Sequence, residues 1–263
     1  MQDDGFALAD DAATPLLTVA LHGGHAVRPE VAAALALDPL ARLREEDPCT
    51  DALAACWPAH LVATRSRFEV DLNRPRDRAV YRTPEDAWGL HVWTAPPPEG
   101  LVARSLALFD RFHAAADAAV RRRIDRWGAC VVIDLHSYNH RRAGPDGPPA
   151  DPAAAPDANL GTESLPARWR PLAKRFAADL ARATLAGRPL VVAENTPFRG
   201  GAFVRRLHRD FGDRVCAIAL EWKKVWMDEW TGAVDRTAFA TLRTLLSTTL
   251  PPLAAAVQQP ASQ

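Results

Sequence analysis

Two histidines stand where apolar segments of the chain end. His22 closes the apolar part of PLLTVALHGGH (15–25), and His136 lies near the end of ACVVIDLHSY (129–138). Neutral imidazole is the commonest protein ligand of zinc, and a catalytic zinc takes three protein ligands and keeps one position open. A single histidine at a strand end is usually structural, but two at matching positions favour a metal site. Asp134 could orient the other ring nitrogen of His136.

An acidic residue ends a third apolar run. Glu221 follows CAIAL in VCAIALEWKK (215–224), at the expected carboxyl end of a buried strand. A carboxylate beside a metal-activated water can take its proton and pass it to a leaving amine. The alternative interpretation is a structural salt bridge to Lys223 or Lys224.

The elements that must position these residues alternate along the chain. Strand patterns cover 15–25, 66–74, 129–138, 189–201 and 215–224. Helical patterns cover Arg28–Ala36, Pro48–Trp57, Leu101–Trp127, Pro166–Ala186 and Asp235–Leu250. This alternation predicts an α/β fold with a largely parallel sheet flanked by helices. Ligands of such sheets bind beyond the carboxyl ends of the strands, where we expect all five polar motifs to lie.

Two further segments bear on the site. SRFEVDLNR (66–74) alternates polar and apolar residues and predicts a strand with Arg67, Asp71 and Asn73 on one face. AGPDGPPADPAAAPD (143–157) is rich in proline and glycine and predicts an irregular loop. Such a loop, directly after the His136 strand, is either a lid or wall of the site or plain surface disorder.

The composition excludes several classes of function. The 263 residues carry 32 basic and 32 acidic side chains, so no net charge draws the protein to nucleic acid or an anionic membrane. The start MQDDGFALADDAATP lacks the basic region of a signal peptide, and no apolar run reaches spanning length, so we expect a cytoplasmic protein. The four cysteines show no CxxC spacing and predict core thiols. We expect one domain over residues 1–263, with a core of about 16–250 and frayed termini.

Six motifs together resemble the N-formylglutamate amidohydrolase family, which is related to zinc carboxypeptidases and aspartoacylase-like deacylases. They are HGGH (22–25), SRFEVDLNRP (66–75), DLHS (134–137), NLGT (159–162), FRGG (198–201) and ALEWKKVWMDE (219–229). The resemblance runs in the family's order over most of the chain, and SRFEVDLNRP with FRGG is its specific part. It implies a carboxypeptidase-like three-layer α/β/α sandwich with a mixed, mostly parallel sheet. It also implies one Zn²⁺ and an amide substrate of small size that bears a carboxylate.

The resemblance assigns His22 and His136 as metal ligands. For the third ligand it favours Asp47 in REEDP (44–48), since the family's deformylase branch carries an acidic pair at this point. Asp47 also fits the N-cap of a helix that begins at Pro48. The alternative third ligands are Glu46, His25 and Glu69.

The same resemblance implies roles around the metal. Glu221 is the general base and acid, and Arg67 could polarise the scissile carbonyl, a contribution typically worth about 3 kcal/mol. Asn73 and Arg74 would hold the substrate carboxylate through paired hydrogen bonds, although Arg74 could instead form a buried ion pair with Asp71.

Other residues could set the specificity. Arg199 could clamp a second carboxylate, and Gly200 with Gly201 would let the backbone approach a ligand. Tyr138 and Arg142 depart from the family's pattern and could select a different acyl group or side chain. We therefore expect a zinc-dependent hydrolase of an N-formylglutamate-like acylamino acid. The alternatives are a carboxypeptidase for short or modified peptides and a non-catalytic binding protein.

Overall fold

The computed structural model describes residues 4–258, and its centre is a seven-stranded sheet. In the order of the sheet the strands are β1 (Phe6–Ala9), β3 (His60–Ala63), β2 (Leu16–Ala20), β4 (Cys130–Tyr138), β9 (Val215–Lys223), β5 (Ala158–Gly161) and β8 (Val192–Glu194). The pairs from β3 through β2 and β4 to β9 are parallel. The outer pairs β1–β3 and β5–β9 are antiparallel. The predicted mixed, mostly parallel sheet is confirmed.

Seven α-helices connect and cover these strands in the described part of the chain. They are α1 (Pro29–Ala34), α2 (Pro39–Glu45), α3 (Thr50–Ala54), α4 (Glu99–Trp127), α5 (Arg170–Ala181), α6 (Ala202–Phe211) and α7 (Arg236–Gln258). Short 3₁₀ turns lie at Arg76–Arg78, Pro84–Ala87, Ala167–Trp169 and Gly212–Arg214, and a small hairpin pairs β6 (Thr184–Leu185) with β7 (Arg188–Pro189). The sequence patterns missed α2, which has no buried residue, and α6, whose buried face is only ten residues long.

The central strands are buried on both faces, which explains their uninterrupted apolar sequences. Along β4, Val131 and Ile133 face a core shared with α3, α5 and α7. Cys130 and Val132 face the opposite core, shared with α4 and α6. This arrangement is the predicted three-layer α/β/α sandwich, and it is confirmed.

The predicted strand over 66–74 is wrong. The segment forms turns, with backbone hydrogen bonds from Glu69 to Ser66 and from Arg74 to Asp71. Its apolar residues Phe68, Val70 and Leu72 are buried, but Glu69 and Asp71 are buried as well, at 1% and 0% exposure. The alternation therefore reflects burial on both sides of a turn and not the two faces of a strand. Other loops supply hydrogen-bond partners for the polar side.

Of the predicted strand over 189–201, only the three residues of β8 form a strand of the main sheet, and β8 runs in the direction opposite to β9. Since β8 is parallel to β5 and β5 is antiparallel to β9, the carboxyl end of β8 does not point to the same edge as β9. The FRGG segment reaches that edge by a loop that packs against β5. A Cβ atom on Gly161 would lie 2.5 Å from the backbone nitrogen of Gly200, so glycine is required for this approach.

Other features of the chain match the sequence more simply. Residues 143–157 contain turns but no helix or strand. All four cysteines are free thiols, and Cys130 and Cys216 are buried. Regular elements reach beyond the expected core, from Phe6 to Gln258, while residues 1–3 and 259–263, where fraying was expected, lie outside the described residues. None of the helices within residues 4–258 has both the length and the apolar composition needed to cross a bilayer.

Candidate metal centre and active site

Two histidines and one aspartate converge at the carboxyl ends of β2 and β4. Nδ1 of His136 lies 3.0 Å from Oδ2 of Asp47, and Nδ1 of His22 lies 3.4 Å from the same oxygen. One ligand atom from each side chain falls within 4.8 Å of the other two, and all three residues are buried. Within residues 4–258 this is the one group of histidine, cysteine and carboxylate side chains that could hold a metal ion.

Each imidazole has its other ring nitrogen next to a further aspartate. Nε2 of His22 lies 2.8 Å from Oδ1 of Asp71, and Nε2 of His136 lies 3.0 Å from Oδ2 of Asp134. Carboxylates in this position fix the tautomer and the ring orientation of a liganding histidine. Both rings turn Nδ1 towards Asp47, and a hydrogen bond to Asp71 holds His22 in this orientation.

The donor group fits a metal ion. Nδ1 of His22 is buried and has no hydrogen-bond partner among the described residues. Burial raises the pKa of Asp47, but the two adjacent histidines outweigh it and hold this pKa well below its usual range. Burial lowers the pKa of His136, but the charge of Asp134 outweighs it and holds this pKa well above its usual range. Two imidazoles and a carboxylate form a donor set that suits a divalent cation such as Zn²⁺.

The alternative third ligands are engaged elsewhere. The carboxylate of Glu46 lies 2.6 Å from Nδ1 of His25 and accepts a hydrogen bond from Ser66. The carboxylate of Glu69 lies 2.8 Å from Nε of Arg28. Neither acidic side chain, nor His25, belongs to the group around His22.

Asp47 does not cap the following helix, although its position before a proline suggested that it would. The N-cap residue of α3 is Cys49, in a left-handed conformation with φ of 69°. The carboxylate of Asp47 is free to face the histidines, while its backbone carbonyl accepts hydrogen bonds from the amide and hydroxyl groups of Thr50.

Glu221 stands beside His136 on the neighbouring strand. The two residues are in register across the parallel pair β4–β9, so their side chains leave the same face of the sheet. The carboxyl group is 9% exposed and has no hydrogen-bond or ion-pair partner among residues 4–258, so the suggested salt bridge to a lysine is not formed. Burial raises its pKa to about 7. Such a group can take and return a proton near neutral pH.

His22, Asp47, His136 and Glu221 line a cavity of about 240 Å³. Its lining includes five cationic side chains, Arg44, Arg67, Arg142, Arg199 and Lys224, but only three acidic ones, Glu45, Asp47 and Glu221. Trp88, Tyr138 and Phe198 supply aromatic surface. Because cations outnumber carboxylates, the cavity favours a small anionic molecule.

Arg67 lines the cavity in a fixed orientation. Its guanidinium lies 2.9 Å from Oδ2 of Asp71 and donates to the hydroxyl of Tyr81 and the carbonyl of Glu45, each at 3.3 Å. Its central carbon lies 4.7 Å from the centroid of the Trp88 ring. Burial lowers the pKa of Arg67, but the charges of Tyr81 and Asp71 outweigh it and raise this pKa well above its usual range. Asp71 thus orients both Arg67 and the histidine ring beside it.

The structure separates Asn73 from Arg74. Asn73 lines the cavity, with Nδ2 3.4 Å from Nε2 of His136, and its Oδ1 accepts a hydrogen bond of 3.0 Å from the amide of Phe203. A Cβ atom on Gly201 would lie 2.1 Å from that oxygen, so Gly201 makes room for Asn73. Arg74 is not among the lining residues; it donates to the carbonyl of Asp86 at 3.1 Å, and its Nε lies 3.7 Å from Oδ2 of Asp71, the ion pair expected as its alternative role.

Tyr138 and Arg199 both line the cavity, but each already has a partner. The hydroxyl of Tyr138 donates to the carbonyl of Pro156, and burial raises its pKa well above the usual range. Arg199 pairs with Glu163 at 2.8 Å and its side chain is 67% exposed. Arg142 lines the cavity and has no side-chain hydrogen bond or ion pair to any residue in the described range.

Sequence reasoning missed several lining residues. Arg44, Trp88 and Lys224 carry no pattern that marks them, since they come from a helix end, a 3₁₀ turn and the end of a strand. The sequence places Asp71 on the polar face of 66–74 but does not indicate its contacts with His22 and Arg67. None of the described lining residues belongs to the loop 143–157.

A mostly parallel sheet that gathers a buried His–Asp–His group and a free carboxyl group in a polar cavity is the framework of an α/β enzyme. The sequence model of the N-formylglutamate amidohydrolase family matches residues 14–226. The chain belongs to this family, as its motifs predicted, and is therefore an amidohydrolase, an enzyme that hydrolyses amide bonds.

Two solved structures have a similar fold over nearly the whole chain. N-formylglutamate amidohydrolase from Ralstonia eutropha JMP134 aligns with a TM-score of 0.77 and 22% identity, over 97% of this chain and 99% of that one. A gene product from Agrobacterium tumefaciens aligns with a TM-score of 0.69 and 18% identity, over 97% and 96% of the two chains. No curated protein sequence matches the chain.

Proposed function

We propose that the protein is a metal-dependent amidohydrolase that removes the acyl group from a small N-acyl amino acid, with N-formylglutamate as the reference substrate. One Zn²⁺ would be held by His22, Asp47 and His136. The observation that carries the proposal is the unpartnered carboxyl group of Glu221, in register with His136 at the edge of the cavity. A buried carboxyl group without a partner is costly, and proton transfer is a reason to keep it.

The side chains around this site divide the chemistry between them. A Zn²⁺ held by His22, Asp47 and His136 would supply an activated water and Lewis-acid polarisation of the amide carbonyl. Glu221 takes a proton from the attacking water and delivers it to the leaving nitrogen. Arg67, held in place by Asp71, donates a hydrogen bond to the oxyanion of the tetrahedral intermediate.

The substrate is proposed to be a small molecule with at least one carboxylate. The excess of cationic groups in the cavity supports this choice. Asn73 and Tyr138 are proposed to contact the substrate, and Arg199 to bind a carboxylate. Arg74, expected to do the same, would first have to leave the carbonyl of Asp86. Arg142 is a further candidate because no described residue competes for its guanidinium.

The size of the cavity favours this function over peptide cleavage. A cavity of about 240 Å³ is small, since pockets for drug-sized ligands have volumes of roughly 300–1,000 Å³. A single acylamino acid therefore fits better than an extended peptide. The balanced net charge gives no support to nucleic acid as a partner, and a cytoplasmic location stays a prediction.

The direct test combines metal analysis with a substrate panel. The purified protein is expected to contain about one equivalent of Zn²⁺ and to release formate from N-formyl-L-glutamate. N-acetyl and N-formyl derivatives of neutral and basic amino acids define the acyl and side-chain preferences. Cleavage of tripeptides faster than any acylamino acid would favour the carboxypeptidase alternative. A metal-free protein that is inert towards the whole panel contradicts the proposal.

A further inference from the structure

A lysine with no carboxylate partner is buried directly after β9. Lys224 is 1% exposed, and its ammonium group donates to the backbone carbonyls of Arg44 and Glu46, the second at 2.8 Å, and to Oδ1 of Asn139 at 2.9 Å. An ammonium group has three N–H donors, so these acceptors use all of them. Lys224 can therefore bond a substrate only by releasing one of these contacts, even though it borders the cavity.

The acceptors show what Lys224 holds in place. Arg44 and Glu46 lie on either side of the last residue of α2, and the next residue is Asp47. The carbonyls at the end of a helix lack partners within the helix, and cations there are favourable. Arg67 takes the intervening carbonyl, that of Glu45, at 3.3 Å. Three successive carbonyls before Asp47 are thus bound by two cationic side chains.

The other contacts of this turn hold different groups. Helix α2 has no buried residue, so apolar packing does not fix its orientation. The carboxylate of Glu46 meets His25 and Ser66, and the backbone of Asp47 bonds to His22 and Thr50. Without the cationic contacts, the carbonyls of residues 44–46 would lack hydrogen-bond partners among the described residues, and the backbone that leads into Asp47 would be less ordered.

We propose that Lys224 is a positioning residue that orders the turn 44–47 so that Asp47 faces the two histidines. The inference rests on the proposed metal site, because it assigns Lys224 to the preparation of the third metal ligand. Burying an ammonium group against neutral oxygens costs free energy. The proposed benefit is the order that Lys224 imposes on the third metal ligand.

The preceding residue provides a matched control. Lys223 is also buried, at 6% exposure, but its ammonium lies 2.8 Å from Oδ1 of Asp157 and 3.0 Å from the carbonyl of Ala155. These contacts anchor the end of the loop 143–157. Lys223→Met therefore removes a buried cation of the same size from the same strand end without touching the turn 44–47.

The test compares Lys224→Met with Lys223→Met in the full-length protein. Zn²⁺ affinity is measured by competition with a chromophoric chelator, and amide hydrogen exchange of residues 44–47 is measured in the metal-free protein. Lys224→Met is expected to weaken Zn²⁺ binding about 10- to 100-fold, as for other residues that orient a ligand, and to speed exchange in the turn. Lys223→Met is expected to lower the thermal midpoint while leaving Zn²⁺ affinity and exchange in the turn near wild type.

The outcomes separate this inference from the proposed function. If wild-type protein has no measurable Zn²⁺ affinity, the proposed function is contradicted. Faster amide exchange of the turn in Lys224→Met would still support the role of Lys224 in ordering it. Unchanged affinity and exchange in a folded Lys224→Met protein overturn the inference alone, as does an equal loss in Lys223→Met. If Lys224→Met does not fold, Lys224→Gln, which keeps N–H donors without the charge, is compared instead. It is expected to bind Zn²⁺ more weakly than wild type, and wild-type affinity in it overturns the inference.

Discussion

The cavity has two walls that are built in different ways. The strand wall consists of His136 on β4 and Glu221 on β9, held in register by backbone hydrogen bonds of the sheet. The turn wall consists of Asp47, Arg67 and Asn73, which lie outside helices and strands. Residues of the turn wall are oriented by side-chain contacts, such as Asn73 with the amide of Phe203. Glu221 and His136 are thus placed by the sheet, whereas the groups of the turn wall depend on polar contacts that single substitutions can remove.

The largest effect is expected from the strand wall. Glu221→Gln keeps the shape of the side chain but cannot accept a proton, so kcat should fall by about 10³-fold or more, while Zn²⁺ content stays unchanged. Formate release and metal analysis measure the two quantities. Glu99→Gln, on an exposed side chain of α4, is the control. Activity within tenfold of wild type would remove Glu221 from the mechanism.

Loss of the turn-wall carboxylate should act on metal binding. Asp47→Ala removes the proposed third donor, so Zn²⁺ affinity should fall by more than about 100-fold, beyond the usual cost of losing a partner of a ligand. Circular dichroism should show that the fold is kept, because Asp47 lies in a turn. Wild-type affinity in this variant would assign the third ligand to another residue, with Glu46 the first to test.

A smaller effect is expected when the residue behind His22 changes. Asp71→Asn removes the charge next to Nε2 of His22 and to Arg67, so Zn²⁺ affinity or turnover should fall about 10- to 100-fold. Asp110→Asn, which breaks an exposed pair with Arg76, should leave both near wild type. If both variants bind Zn²⁺ and turn over like wild type, Asp71 does not orient the ring.

The arginines allow the substrate contact to be located. Arg142→Ala is expected to raise the KM for N-formylglutamate about tenfold, the effect of losing one charge-assisted hydrogen bond. Its KM for N-formylglutamine should change less. Arg74→Ala should raise KM less than Arg142→Ala, because Arg74 does not line the cavity. The reverse order of the two variants would support the contact expected from the family's motif.

The smallest effect concerns stability, through a histidine that supports β9 from α6. Nε2 of His208 accepts a hydrogen bond of 3.1 Å from the amide of Ala217, and burial lowers the pKa of His208 to about 4. Below the ordinary pKa of about 6.5 the unfolded chain takes up a proton that the folded protein does not bind. Stability should therefore fall as the pH drops from about 6.5 towards 4, by about 1 to 2 kcal/mol at pH 5 from this group.

Urea unfolding at pH 7.5 and pH 5 measures this contribution. His208→Gln should be less stable than wild type at pH 7.5, but the difference between the two proteins should shrink at pH 5. A difference that is independent of pH would mean that the pKa of His208 is the same in the folded and the unfolded protein.

The strand wall could be predicted from the sequence, and the turn wall only in part. β2, β4 and β9 are long or fully buried apolar runs, and such runs specify strands with little ambiguity. The four-residue strands β1, β3 and β5 are too short to give a pattern. The alternation over 66–74 predicted a strand wrongly, because it came from burial on both sides of a turn. Helix α2 was missed because it buries no apolar face, and α6 was missed although Phe203, Val204, Leu207 and Phe211 mark one.

Sequence and tertiary structure thus decide different parts of the site. The apolar runs alone indicate that His22, His136 and Glu221 end buried strands at one edge of a sheet, because local pattern governs strand formation. Which acidic residue joins the histidines is decided only in the folded chain. Glu46 and Asp47 are adjacent acidic residues, and their side chains leave the turn in different directions. Lys224, which is 178 residues from Glu46 in the sequence, bonds to the backbone of this turn. No local pattern encodes a contact over that distance, since it exists only after the sheet has brought the two segments together.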